Sequence, residues 1–435
     1  MDSPPFFSCY MMLCILQHAI KENQVGSVRS LTEYRPDLQT EDSMGNTPLH
    51  GINSDTSLEI VKLLVNGGSD LEARNKAGDT PLSRAVLSTN IAAVKYLIRK
   101  KAQINIVGGT KRDPLNVACR YAGLEIIQTL IKAGADVNLV DPLHGTPLQQ
   151  ACYRDDNPEE QESVISYLIN KAHADVSIVG GICGTAIHVA CAWSTPNITK
   201  LILDQGANID IPDAMGRVPV HFAAANSSKH FQLILDAGGD VETKDTMGRT
   251  ALHWAVIGGC INIVERVLSL LRNRVDQPDN DGWTPLLWAA RGCGTVNRPS
   301  TASVQKEMIT LLLDRGADPC VKWNRFGREW SVIKLARYHN LDDAIVQLLE
   351  EKYNERLAEQ GLEDTWDENL HSSAKAIAHD GFCDSCLSVC FFSKTRTPGY
   401  VRLDRWANNR PTRLFAVFAT SAMYAPTLCF ATNAA

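Results

Sequence analysis

Thr47-Pro48-Leu49-His50 keeps returning along the chain. Thr80-Pro81-Leu82, Thr146-Pro147-Leu148, Thr185-Ala186-Ile187-His188, Val218-Pro219-Val220-His221, Thr250-Ala251-Leu252-His253 and Thr284-Pro285-Leu286 share its register, and Asp113-Pro114-Leu115 is a weaker copy. The first positions are separated by 33, 33, 33, 39, 33, 32 and 34 residues. Degenerate copies at Cys14 and Ser331 extend the series at both ends. A fixed period near this length marks a stack of supersecondary units in which each unit contacts only its neighbours. Thr is a good N-cap, because its hydroxyl accepts a bond from an orphan backbone N–H. Pro then takes the first helical position, where its missing donor costs nothing. Apolar residues follow at helical spacing, as in Leu49 and Ile52. A second apolar run, Leu58, Ile60, Val61, Leu63 and Leu64, ends at Gly67-Gly68, a helix stop. Asp70 to Gly78 then makes a turn into the next unit.

These residues resemble those of the ankyrin-repeat family, whose signature is a Thr-Pro-Leu-His start with a period of about 33 residues. Gly134-Ala135-Asp136 and Gly316-Ala317-Asp318 strengthen the likeness, which covers roughly residues 13 to 350. It implies an all-α solenoid of about ten helix–turn–helix units joined by hairpin-like turns. The units start near residues 13, 46, 79, 112, 145, 184, 217, 249, 283 and 330, after an N-terminal extension over 1–12. It also implies protein recognition without catalysis, on a concave surface of first helices and turn tips, by a monomeric array.

Composition agrees with an ordinary folded chain: 44% hydrophobic and 21% charged residues. The net charge of −6 gives no global reason to expect nucleic acid as a partner. The thirteen cysteines fall mostly on apolar helical stretches and read as reduced core residues, so a cytoplasmic or nuclear setting is expected. Phe6 to Ile20 carries no formal charge, but no Lys or Arg precedes it and Leu16 and Ala19 keep repeat register. It reads as a buried first helix over Leu13–Lys21 rather than a targeting segment.

Several departures from the repeat carry expectations of their own. Ile106, Val107, Ile178 and Val179 replace polar turn residues and are expected near exposed hairpin tips. The added residues of the fifth unit, Arg154 to Glu162, read as a solvated acidic loop, with an acidic partner contact as the other reading. A second insertion, Gly294 to Gln305, has loop chemistry. The glycine-rich 180–184 stretch lacks the Lys of a phosphate loop and reads as a repeat turn. His50, His188, His221 and His253 share one register position, so they lie a repeat apart and read as structural rather than as a metal or catalytic set. No catalytic constellation can be assembled without residues the repeat already explains.

Met215, Arg217, Met247, Arg249 and Trp283 occupy matching turn positions in consecutive units, and equivalent positions in a solenoid line up. They are expected to form one surface stripe that contacts a protein partner. Trp193, Trp254 and Trp288 lie in or near the first helices of their units, the last two at one register position. Packing is one reading of them; an aromatic anchor for the partner is the other.

The array is followed by an acidic helix or linker over 351–375. His379-Asp380-Gly381-Phe382-Cys383-Asp384-Ser385-Cys386 then resembles the opening of a ZZ-type zinc finger. The likeness implies Cys383 and Cys386 as zinc ligands, within a partial finger over 376–390. The further CxxC pairs and the closing histidines of that family do not follow. From Phe391 to Ala435 six Lys or Arg face one acid, and three prolines interrupt any helix. The residues after about Leu387 are therefore expected to be foreign to this position, as a retained intron or shifted frame would make them, or else a disordered basic tail over 391–435. Two further functional readings stay open: a recognition subunit of an enzyme or zinc-dependent modifier with its catalytic part elsewhere, and a tail-anchored membrane adaptor using the uncharged 414–435 stretch.

Overall fold

A computed structural model describes residues 6–360, apart from 107–112, 155–156, 273, 293, 296–297, 300 and 326–327. The chain divides into two compact units, 1–391 and 392–435, and every described residue lies in the first. The zinc-finger-like stretch, Cys383 and Cys386 included, and the basic tail lie outside the described residues.

Helices come in pairs. They are α1 (Phe6–Lys21) with α2 (Val25–Glu33), a 3-10 turn (Pro48–Gly51) with α3 (Leu58–Asn66), α4 (Pro81–Leu87) with α5 (Ile91–Arg99), α6 (Pro114–Tyr121) with α7 (Leu124–Lys132), and α8 (Pro147–Cys152) with α9 (Pro158–Asn170). Then follow α10 (Ala186–Trp193) with α11 (Pro196–Asp204), α12 (Pro219–Asn226) with α13 (Ser228–Asp236), α14 (Ala251–Ile257) with α15 (Ile261–Leu270), α16 (Pro285–Arg291) with α17 (Ala302–Asp314), and α18 (Val332–Tyr338) with α19 (Asp343–Gln360). First helices pack on first helices and second on second, so one continuous apolar core runs from Leu16 to Leu349. Second helices bury a narrow stripe, such as Ile263, Val264, Val267 and Leu268 of α15, as amphipathic surface helices do.

The ends of the first helices explain the signature. His50 Nδ1 accepts the N–H of Thr47 at 3.1 Å, so the ring proton sits on Nε2, which donates to the carbonyl of Asp79 in the next unit at 3.0 Å. His188 makes the same pair of bonds, from Thr185 N–H at 3.1 Å and to the Arg217 carbonyl at 3.1 Å. His253 does so from Thr250 N–H at 3.1 Å and to the Trp283 carbonyl at 3.2 Å. In the fifth unit Gln149 does both jobs with one amide, accepting from Thr146 N–H at 2.6 Å and donating to the Gly180 carbonyl at 3.1 Å. The opposite ends of the first helices are tied by the following unit. Ser88 Oγ donates to the Ile52 carbonyl at 3.3 Å, Ser194 Oγ to Cys152 at 3.0 Å, and Asn226 Nδ2 to Cys191 at 2.8 Å. The carbonyls that a helix end leaves orphaned are thus satisfied across the repeat boundary.

The turns also bond to one another. Thr246 N–H donates to the Met215 carbonyl at 3.0 Å and Asn280 N–H to the Met247 carbonyl at 2.9 Å. This approach requires glycine at 248, where φ is +76° and a Cβ would lie 2.8 Å from the backbone nitrogen of Asn280.

Four expectations are corrected. The first helix begins at Phe6, not Leu13, because nothing between Phe6 and Met12 breaks it; the boundary at residue 12 falls inside α1. The insertion from Arg154 is not a solvated loop. Arg154 is buried and donates to the carbonyls of Cys119 at 3.2 Å and Ala122 at 2.7 Å. From Pro158 the added residues lengthen α9, and buried Gln161 closes the end of α8 by donating to the Ala151 carbonyl at 3.1 Å. The second insertion behaves alike. Its start forms a short hairpin, β1 (Gly294–Thr295) with β2 (Arg298–Pro299), and its end extends α17, whose Gln305 donates to the Ala289 carbonyl at 2.9 Å. The all-α solenoid with hairpin-like turns stands as expected. The tenth unit's turn is a second hairpin, β3 (Lys322–Arg325) with β4 (Arg328–Ser331), in which Trp323 faces Trp330. Finally, Ile106 is 5% exposed rather than at a tip, its N–H bonded to Asp113 Oδ2 at 3.2 Å; Val107 lies outside the described residues. Burial raises the Asp113 pKa to about 6.

Burial pushes the pKa of His188 and of His253 down to about 4, and lowers those of His50 and His221. The unfolded chain, with ordinary imidazoles near pH 6.5, binds more protons than the fold between those values, so stability is present in full above about 6.5 and is lost as pH falls toward 4. Urea unfolding at pH 5 should show a loss of about 2 kcal/mol for each of His188 and His253 relative to neutral pH, and the double variant His188→Gln/His253→Gln, which keeps the Gln149 arrangement, should flatten that dependence. Leu252, 1% exposed at the centre of the core, should cost about 2–5 kcal/mol when replaced by Ala, read as a lowered urea midpoint.

Candidate recognition surface

Where the expected stripe falls follows from its turns. Asp213 Oδ1 accepts the N–H groups of Met215 at 2.8 Å and Arg217 at 2.9 Å, while Oδ2 takes Arg217 Nε at 2.7 Å. Asp245 repeats this with Met247 and Arg249, its Oδ2 accepting Arg249 Nε at 2.8 Å and the indole N–H of Trp254 at 3.1 Å. In the ninth unit Trp283 stands where the arginines were. There Asp279 Oδ1 takes the Trp283 N–H at 2.8 Å, and Oδ2 the indole of Trp288 at 2.9 Å. Burial raises the Asp279 pKa against these bonds.

The Arg217 guanidinium lies 4.6 Å from the Phe222 ring centre, and that of Arg249 4.6 Å from Trp254. Trp283 continues the column, 5.2 Å from Trp288 and 4.9 Å from Trp323. Trp323 in turn meets Trp330, and Trp330 meets Tyr338. Arg217, Arg249, Trp254 and Trp283 are therefore interior side chains, all buried. The surface place expected of Arg217, Arg249 and Trp283 is corrected, and Trp254 takes its packing reading: a desolvated turn carboxylate requires donors, which the Arg217, Arg249 and Trp254 side chains and the Trp283 backbone N–H supply. Only Met215, Met247 and Trp288 keep part of their surface, Met247 with 37% exposed.

The exposed aromatic surface lies earlier in the chain, at the ends of α6, α8 and α10. Arg120 places its guanidinium 5.0 Å from the Tyr153 ring and 5.7 Å from that of Tyr121. Tyr153 lies 6.2 Å from Trp193. Tyr121 is 46% exposed, and Tyr153 and Trp193 are partly so. Leu87 of α4, in the register position of Arg120, adds an exposed aliphatic. Burial, with Cys183 adjoining, raises the Tyr153 pKa well above its ordinary value, so its hydroxyl stays a neutral donor. At the opposite, N-terminal ends of α8 and α10, the 140–145 and 178–184 turns lie against each other: a Cβ on Gly180 would sit 3.0 Å from Val140 Cγ1. Val140, Leu143 and Val179 are exposed at their tips, while Ile178 is half-buried. Trp193 was visible in the sequence as a large ring near a first helix. Tyr121 and Tyr153 were missed, though both lie seven or eight residues after their unit's first signature residue, beyond the buried part of the helix.

The register histidines are neutral caps. Among the described residues no group of three or more His, Cys, Asp or Glu is placed to hold a metal ion. No described helix is long and apolar enough to cross a membrane.

The family description "Ankyrin repeats (3 copies)" matches in overlapping blocks, 16–108, 53–141, 115–213, 159–245 and 220–323. The chain belongs to the ankyrin-repeat family. Ankyrin repeats are generally non-catalytic modules that bind protein partners. Among curated relatives, the chain is similar to ANK repeat-containing protein nipk-1 of Caenorhabditis elegans, 26% identical over 169 residues, which is 38% of this chain and 21% of that protein. It is also similar to ankyrin repeat domain-containing protein SAT10 of Stachybotrys chartarum, 23% identical over 242 residues, 52% of this chain and 12% of the relative. The matches thus span about a fifth of one relative's length and about an eighth of the other's. Among solved structures, the human ASB11 ankyrin repeat domain aligns with a TM-score of 0.44 at 23% identity, covering 52% of this chain and 98% of that one.

Within this ankyrin array, Arg249→Ala should destabilise by about 3 kcal/mol, because it strips a buried carboxylate of its charged partner while leaving the Trp254 bond. Met247→Ala, two residues away, should stay within about 0.5 kcal/mol. Chemical denaturation of the two variants checks both values.

Proposed function

We propose that this ankyrin array is a non-catalytic recognition scaffold that engages its protein partner on the first-helix face of the fourth to sixth units. Arg120, Tyr121, Tyr153 and Trp193 would be the anchor, with the tips at Val140, Leu143 and Val179 extending the contact at the other end of α8 and α10. The observation that carries this reading is the contrast along the array. From the seventh unit on, most aromatic rings and guanidinium groups at these positions join an internal column, with Trp288 only part-exposed, whereas on α6, α8 and α10 they form a continuous ridge that includes the openly exposed Tyr121. Aromatic and Arg side chains that are already held by neighbours lose little freedom on binding, which is why they dominate interface energetics. Met215 and Met247 extend the same reading along the turn tips, as adaptable apolar contacts.

Affinity capture on the immobilised full chain, quantified by mass spectrometry, tests it. Tyr121→Ala/Trp193→Ala should remove most of the specifically captured protein while leaving the helical circular dichroism unchanged. Met215→Ala/Met247→Ala should weaken capture less. Capture undiminished by the first pair would place the contact elsewhere on the array.

A further inference from the structure

The ridge continues, on its N-terminal side, into a cationic stretch. Residues 74–120 hold ten Lys or Arg against two acids, Asp79 and Asp113, in a chain whose net charge is −6. Part of this charge lies on the second helices and is engaged there. Lys95 pairs with Glu125 at 2.8 Å, and Arg99 and Lys100 lie 5.8 and 5.5 Å from the Tyr96 ring centre. Lys111 and Arg112 lie outside the described residues. Three arginines remain beside the first helices: Arg74 in a turn, Arg84 on α4 and Arg120 on α6. Arg84 precedes Leu87 by three residues, so the two share a helix face, and Leu87 is the register equivalent of Arg120.

Arg84 Nε and Arg74 Nη1 are shut off from solvent without a hydrogen-bond partner. The acids on the same turn do not supply one. Glu72 Oε1 holds the Gln103 N–H at 2.8 Å and its Oε2 is itself without a partner, and neither Glu72 nor Asp79 forms an ion pair with these arginines among the described residues. Those two atoms are themselves closed to an incoming group, but both side chains keep part of their surface, and a guanidinium that finds no acceptor among the described residues offers its outer N–H groups to a carboxylate.

We infer that the segment recognised on this face is an acidic peptide, with carboxylates on Arg74 and Arg84 and an adjoining apolar side chain on the Tyr121–Trp193 ridge. The inference rests on the recognition reading above and adds the chemistry of the partner. Charge complementarity at such a site steers association and selects among partners.

A random peptide-display library selected against the full chain tests it, followed by fluorescence anisotropy with the synthesised winning peptide at low and high salt. Acidic sequences flanking an apolar residue should be enriched. Arg74→Gln/Arg84→Gln should weaken the selected peptide by about tenfold or more, added salt should do the same, and Arg99→Gln/Lys100→Gln, an equal change of charge on a second helix, should have little effect. Circular dichroism keeps loss of folding apart from loss of contact. Enrichment of neutral or basic peptides, or acidic peptides that bind the Arg74→Gln/Arg84→Gln variant equally well, would overturn the inference. The recognition reading survives that result if Tyr121→Ala/Trp193→Ala still weakens the peptides, and falls with the inference if no peptide is enriched. A single-stranded oligonucleotide that binds more tightly than the peptide through the same two arginines would assign the face to nucleic acid instead.

Discussion

The bond from a first-helix side chain to a backbone carbonyl of the next unit is what the rest of the array depends on. A repeat of two short helices cannot bury its apolar face alone, so its stability is the stability of its contacts with its neighbours. Apolar contact fixes how closely two units pack but is tolerant of sliding. The imidazoles of His50, His188 and His253 are not tolerant: each caps its own helix through Nδ1 and reaches the following turn through Nε2. The ring is rigid, so the two bonds fix the register between units as well as the helix start. Gln149 shows that the requirement is for an acceptor and a donor at a set separation, not for a titratable group. The neutral tautomer follows from the Nδ1 bond, and burial then depresses the pKa for the same reason.

A second set of bonds, at the far ends of the first helices, runs in the opposite direction along the chain. Ser88, Arg154, Ser194 and Asn226 each reach back to carbonyls of the preceding unit. The first helices α8, α10 and α12 are thus held at both ends, forward by their third helical residue and backward by a residue near their last turn. The insertions are absorbed without breaking this scheme. Gln161 and Gln305, on helices lengthened by the added residues, satisfy the same kind of carbonyl from within their own unit. An insertion that adds helix and keeps the polar accounting intact is cheaper than a loop that leaves a buried helix end unpaired.

Much of this was legible in the sequence because the signature is itself a physical device: cap, Pro, apolar residue, bridging side chain. The register of the first helices followed from Thr47-Pro48-Leu49-His50 and its copies, and so did the structural role of the histidines. What the sequence hid was direction. Arg217 and Arg249 occupy turn positions that are polar in composition, which reads as surface. Their destination depends on Asp213 and Asp245, whose carboxylates are themselves buried beneath the turns. Periodicity reports which positions are equivalent, and a turn has no face that periodicity can assign. The Arg154 stretch failed for a related reason: its acids suggested solvent, while the residues that decide its structure, Arg154 and Gln161, are buried polar groups whose partners are main-chain carbonyls. Tyr121 and Tyr153 escaped because they fall past the apolar core of their helices, where composition alone does not separate a half-buried ring from a packed one.

The two halves of the array spend the same chemistry differently. Arginine and aromatic side chains occur at first-helix and turn positions throughout. From Arg217 onward each is paired with a carboxylate or stacked on the next ring, so the column from Phe222 to Tyr338 stiffens the units it passes through and leaves little of itself to a ligand. Earlier, the turns lack that aspartate–arginine bracket. Asn75 stands where Asp213 and Asp245 do, and Asp79 where Arg217 and Arg249 do. Gly145 and Gly184 take the latter position in the fifth and sixth units, and the side chains of Gln149 and His188 pack against them in place of an arginine. Arg84 and Arg120 are consequently left on the first-helix face, the one with a desolvated donor and no acceptor, the other stacked between two tyrosines. A fold that can satisfy its arginines internally, and does so in the later units, presents in the earlier ones the groups it has not used, and that difference is what the proposed recognition of an acidic segment rests on.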